Sequence, residues 1–124
     1  MRGRLLLPLL ALLLLPACAE VRQTADRATD CVGLARDVAA SGLSRTPTLE
    51  EAEQAAQRLD ERIETLDDAQ VREAATSLRD RLGELRDAVA SADPASTQQA
   101  GEAAREAARV TADACGLPLD QFLA

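Results

Sequence analysis

The sequence predicts an all-α fold: a small antiparallel four-helix bundle, with three helices as the smaller alternative, held by one disulfide. Three observations predict it. No run of residues alternates apolar and polar with the period of a strand, and the β-branched residues are scattered. Two central segments repeat apolar residues at alternating steps of three and four, the spacing of a helical seam. Two cysteines, Cys31 and Cys115, fall where an up-down-up-down order of helices brings the ends of the bundle together.

The first nineteen residues are set apart from that bundle. Arg2 and Arg4 make a basic start, Leu5 to Leu15 an apolar block broken only by Pro8, and Ala17 and Ala19 supply small residues. This layout predicts an export signal over residues 1–19. The block is too short for a transmembrane helix, which needs about 20 apolar residues. Two cleavage sites compete. Ala17-Cys18-Ala19 fits ordinary signal peptidase, which would leave a mature chain from Glu20. Leu15-Pro16-Ala17-Cys18 resembles a bacterial lipobox. Leu15, Ala17 and Cys18 match it, and Pro16 stands where a small or aliphatic residue is usual. That resemblance implies cleavage before Cys18 and a diacylglycerol on its thiol, which makes Cys18 the lipidation candidate and the membrane a partner. Residues 20–30 follow as a polar tether, and residues 31–124 as the helical bundle domain.

The first helix carries Cys31, Leu34, Ala35 and Val38, starts between Val21 and Thr29, and ends at Gly42. Gly42 suits a left-handed position after the helix, with Leu43 folding back on Val38 in a Schellman motif. The second helix opens with Thr48 and Glu51 spaced as a capping box after Pro47. Its seam is Leu49, Ala52, Ala56, Leu59, Ile63 and Leu66. The third takes Asp67 or Asp68 as N-cap, with Gln70 placed to complete a box from Asp67, and its seam is Val71, Ala75, Leu78, Leu82, Leu85 and Val89. So short a connection predicts an antiparallel hairpin. The fourth starts at Asp93-Pro94, with Ser96 and Gln99 as a rival start. Its seam is thin: Ala100, Ala103 or Ala104, Ala107, Val110 and Ala114, ending at Gly116. Leu119, Phe122 and Leu123 share a face that can lid the bundle end.

The chain has three cysteines. Lipidation of Cys18 or its removal with the signal leaves the same pair, so the expectation is a Cys31–Cys115 disulfide formed in an oxidising compartment. Two buried free thiols are the alternative. In an antiparallel bundle the start of the first helix lies beside the end of the fourth, where these residues sit. A loop of this length is worth roughly 4 to 5 kcal/mol in the chain-entropy model, as an upper figure.

Composition limits the function classes. Removing Arg2 and Arg4 from 14 basic residues leaves 12 against 21 acidic ones, a net charge near −9. Nucleic acid needs a basic face, so none is expected as a partner. The chain has no histidine, no Trp and no Tyr, and its one Phe is Phe122. A zinc site therefore lacks ligands and a catalytic thiol lacks its usual base. Asp67-Asp68 lacks the alternating spacing of a calcium loop. No carboxylate pair is marked out for acid–base work. The expectation is no enzyme, no metal and no cofactor. The pairs Arg58 with Glu61, Arg81 with Glu84 and Glu102 with Arg105 belong to solvated faces. Gly33, Gly83 and Gly101 lie inside helices, where glycine costs about 1 kcal/mol against alanine.

The signal, the arginine-only basic residues, the abundant alanine and the spaced cysteine pair together make the chain resemble the small helical lipoproteins and secreted proteins of high-GC Gram-positive bacteria. The resemblance implies an exported protein, on the outer face of the membrane or secreted, and no particular activity. The leading expectation is a non-enzymatic envelope protein presenting a helical surface to an envelope partner. The alternative is a carrier of a small apolar ligand between the helices. An exposed leucine stripe on the hairpin would favour the first, and an apolar pocket of a few hundred Å³ among the helices the second.

Overall fold

The computed structural model describes residues 27–123. The export signal, both cleavage sites and Cys18 lie outside the described residues. The fold is all-α: α1 over residues 27–39, α2 Leu49–Thr65, α3 Ala69–Ser91, α4 Pro94–Cys115 and a short α5 Leu119–Leu123. No strand occurs among the described residues.

The helices begin where side chains satisfy their free N–H groups. At α2 the Thr48 hydroxyl accepts from the Glu51 N–H, and the Glu51 carboxylate accepts from the Thr48 N–H, completing the expected capping box. At α3 the cap is Asp68, whose carboxylate accepts from the Val71 N–H at 3.0 Å. The box expected from Asp67 and Gln70 does not form, because the helix starts one residue later and puts Val71 in the reciprocal position. At α4 Asp93 caps, with Pro94 in the first turn, and the rival start at Ser96 is not used. The Ser96 hydroxyl instead donates to Asp93 at 2.7 Å.

These bonds hold the capping carboxylates in their charged form. Asp68 lies below the usual carboxylate range through the Val71 N–H and then Arg27. Asp93 does so through the Ser96 hydroxyl and then the Ala95 N–H. Glu51 is lowered to about 2, first by the two-pronged grip of Arg45 and then by the Thr48 N–H. A carboxylate with a depressed folded pKa stabilises the fold fully above its unfolded value, here 4.5, and loses that contribution as pH falls toward 2. The stability difference between wild type and Glu51→Gln is therefore expected to be constant above about pH 5 and to shrink between pH 4.5 and 2. Denaturant midpoints measured across that window check it, and a difference that does not change with pH would sink the assignment.

The order up, down, up, down is fixed by cross-links between neighbours. Arg27 grips Asp68 at 2.7 Å, and Asp30 accepts the Asp67 N–H at 3.1 Å, so the first turn of α1 lies against the α2–α3 turn. Residues 27–30 are helical, so α1 begins within the Val21 to Thr29 span expected for its start, and Arg27 and Asp30 have partners on that turn. Arg79 of α3 pairs with Asp60 of α2 at 2.8 Å. The Thr97 hydroxyl of α4 donates to the Ala88 carbonyl of α3. Cys31 of α1 and Cys115 of α4 form the expected disulfide, with Cα atoms 5.7 Å apart, inside the range the bond requires.

The helix ends differ from expectation in an instructive way. Gly42 is left-handed, with φ 76°, but the Schellman bonds are absent there. The buried Ser41 hydroxyl donates to the Val38 carbonyl and accepts from the Leu43 N–H instead. A full Schellman pair closes α4: Leu117 N–H to Ala112 and Gly116 N–H to Asp113, both 3.0 Å, with Gly116 left-handed.

The α3 seam is buried from Val71 through Leu85, with Val89 half-buried. On α2 the buried residues are Ala52, Ala55, Ala56 and Leu59, and Leu66 is buried just past the helix. Ile63 is half-buried and Leu49 is 40% exposed, so these two positions of that seam face outward more than expected. The α4 seam is shifted: Gly101, Ala104, Ala108, Thr111 and Ala112 are buried, whereas Val110 is 49% exposed. With alanine at most positions, the apolar pattern of α4 does not single out one face. Thr111 enters the core at no polar cost because its hydroxyl donates to the Ala107 carbonyl. Phe122 is fully buried, with Leu119 and Leu123 packed beside it as the expected lid. No buried side-chain polar atom among the described residues lacks a partner.

Candidate functional site

The end of the bundle remote from the disulfide is not filled. There the last turns of α3, the turn into α4 and the strand-like approach to α2 surround a cleft of about 510 Å³. One wall is apolar: Leu85 and Val89, four residues apart on α3, with Pro47, Ala92 and Pro94 beside them. The polar part of the lining comes from α4, where Thr97, Gly101 and Arg105 recur at steps of four and so share one face. Gln98 and Thr46 stand at the rim, both exposed.

Local chemistry explains this wall. The Thr97 hydroxyl satisfies one of the orphan carbonyls at the end of α3, that of Ala88. Gly101 is buried and has no side chain to fill the space beside it. The Arg105 guanidinium lies across it, with nitrogens 3.5 and 3.6 Å from the point a Cβ would occupy. This explains why the expected pair with Glu102 does not form: Arg105 folds back along its own helix into the cleft. Arg58 and Glu61 do not pair either, while Arg81 and Glu84 do, at 3.0 Å, and Arg109 takes Glu106.

Arg105 is half-buried and makes no hydrogen bond or ion pair. Arg36 and Arg58 are the other described arginines without one, and both are exposed. Compared with protein-family models, curated proteins and solved structures, the chain matches none of them.

A second, shallower cleft of about 460 Å³ lies along α1 and α2, lined by Ala28, Thr29, Val32, Gly33, Arg36 and Arg62. Gly33 lets the Arg62 guanidinium cross α1 at close range, its central carbon 2.7 Å from where a Cβ would sit. Arg62 is already paired with Asp37 at 2.8 Å, so its charge is spent on joining the two helices. Gly83 has open space around it and marks no approach.

Of the residues singled out in the sequence, the structure brings Cys31 and Cys115 together, and Cys18 lies outside the described residues. Among the described residues no group of three or more His, Cys, Asp or Glu is placed to hold a metal ion. None of their helices is long and apolar enough to cross a membrane. The cleft was not foreseen: Leu85 and Val89 were read as seam, Gly101 as a glycine inside a helix and Arg105 as half of a surface pair. The signal was present as the Thr97, Gly101, Arg105 spacing on one face of α4.

Proposed function

We propose that this protein is an exported, non-enzymatic envelope protein that binds a small, partly apolar molecule at the end of its helical bundle. The observation that carries this reading is the cleft of about 510 Å³, whose volume falls within the range of small-molecule sites and whose walls pair an apolar side with a few polar groups. The carrier alternative placed its ligand between the helices, and the end cleft moves that site to the bundle's rim. An exposed leucine stripe on the hairpin would have favoured the helical-surface reading, and the hairpin leucines Leu59, Leu78, Leu82 and Leu85 are buried. What favours a protein partner is the exposure of Val32 and Val110, at 52% and 49%, on α1 and α4. A partner using both would be lost on Val32→Asp with Val110→Asp, read by capture from envelope fractions.

Export and anchoring belong to the same proposal and rest on residues 1–19. If Cys18 carries the lipid, Cys18→Ala is expected to move the protein from the membrane fraction to the medium, because each buried CH₂ contributes about 0.8 kcal/mol to anchoring. Wild-type protein found wholly in the medium with Glu20 at its N-terminus would leave the secreted form. The binding reading is tested by displacement of an environment-sensitive apolar dye from the purified, oxidised protein. Filling the cleft with Gly101→Leu is expected to abolish dye binding, and unchanged dye binding would overturn the cleft as the site.

A further inference from the structure

We propose that the end cleft recognises a monoanionic amphiphile, a short aliphatic body ending in a single carboxylate-like head, with Arg105 as the residue that reads the head. This rests on the reading of the cleft as a ligand site and adds the chemical class of the ligand. Three observations converge on it.

The guanidinium of Arg105 lies in the cleft and has no partner in the protein, while the other half-buried arginines, Arg62, Arg79 and Arg86, each hold a carboxylate. Partial burial of an unpaired cation is unfavourable unless a counter-charge arrives, and a guanidinium presents a fork that matches a carboxylate. No acidic residue lines the cleft. The side chain of Gln98 makes no hydrogen bond and stands at the rim beside Thr97, so its amide can donate to the same head.

The body of the ligand is set by the apolar lining. Val89, Ala92 and Pro94 offer aliphatic surface over the buried Leu85 and Pro47, with no aromatic ring for stacking. The valence of the head is set by the whole chain. With a formal net charge of −7, the protein repels polyanions, so one negative charge met by one guanidinium fits better than a polyphosphate.

The chain enters the described structure at residue 27, beside the disulfide, and the cleft is at the other end. Along α3, 23 residues at 1.5 Å each separate the two ends by about 35 Å.

The test uses the purified, oxidised protein and two probes of equal chain length, decanoate and decanol, in calorimetric titrations. Decanoate is expected to bind at least tenfold more tightly than decanol, the size of effect a charge-assisted hydrogen bond gives. Arg105→Gln is expected to bring decanoate down to the decanol level and to leave decanol unchanged. Arg105 makes no bond that the fold needs, and circular dichroism verifies this. Arg105→Lys, which keeps the charge, is expected to retain part of the preference. Equal binding of the two probes by wild type would overturn the head-group assignment and leave the cleft reading standing. Equal weakening of both probes by Arg105→Gln would overturn Arg105 as the reader of the head. Binding of neither probe would overturn both this assignment and the cleft reading.

Discussion

Leu82→Ala is expected to lower stability by roughly 2 to 5 kcal/mol, as truncation of a fully buried leucine does. Leu82 has no exposed surface and sits between Leu78 and Leu85 in the one helix whose seam is leucine-rich. The core it belongs to includes Ala55, Ala56, Ala104 and Ala108 from other helices. Alanines have no rotamers with which to close a void, and helices joined through alanine are already near. The space left by three lost carbons would therefore remain, and the cost should fall toward the upper part of that range. Urea denaturation with an unchanged dependence on denaturant measures it. A loss below about 0.5 kcal/mol would mean that the α3 seam faces solvent, contrary to the packing described.

Reduction of the Cys31–Cys115 bond, or Cys115→Ser, is expected to cost a similar roughly 2 to 5 kcal/mol. The cross-link spans 84 residues of sequence, so in the chain-entropy model it removes a large loop-closure freedom from the unfolded chain. It also joins α1 to α4, the first and the last of the long helices. The core they share offers few large side chains on the α4 side, where alanine predominates. Denaturation with and without reductant gives the figure, and the oxidised protein should weigh two hydrogens less than the reduced one. A change under about 1 kcal/mol would show that packing alone holds the bundle.

The parts of the fold that were legible in the sequence are those where one residue type does one job. Thr48 with Glu51, Asp93 with Pro94, and Gly116 each mark a helix boundary through local bonds, and each stands where it was read. The leucines of α3 mark its inner face because the other faces are charged. The α4 face was not legible for the opposite reason. Ala100, Ala103, Ala104, Ala107 and Ala108 are equivalent as letters, and only tertiary packing distinguishes the buried ones. Arg27 and Asp30 were also hidden, because a polar residue that pairs across helices looks the same in sequence as one in a tether. The cleft was illegible for a further reason. It is made by an absence, the missing side chain of Gly101, and by an arginine that leaves its expected partner on the helix for the space beside that glycine.

The bond between Cys31 and Cys115 turns everything between them into a closed covalent ring. A single proteolytic cut in any of the three turns, at residues 40–48, 66–68 or 92–93, opens that ring without releasing a fragment. Nicked molecules would keep their full mass, plus one water, until reduced. Two cuts are needed before any segment can leave. A first nick is then a survivable event: the helices on either side of it stay at high effective concentration and can re-dock.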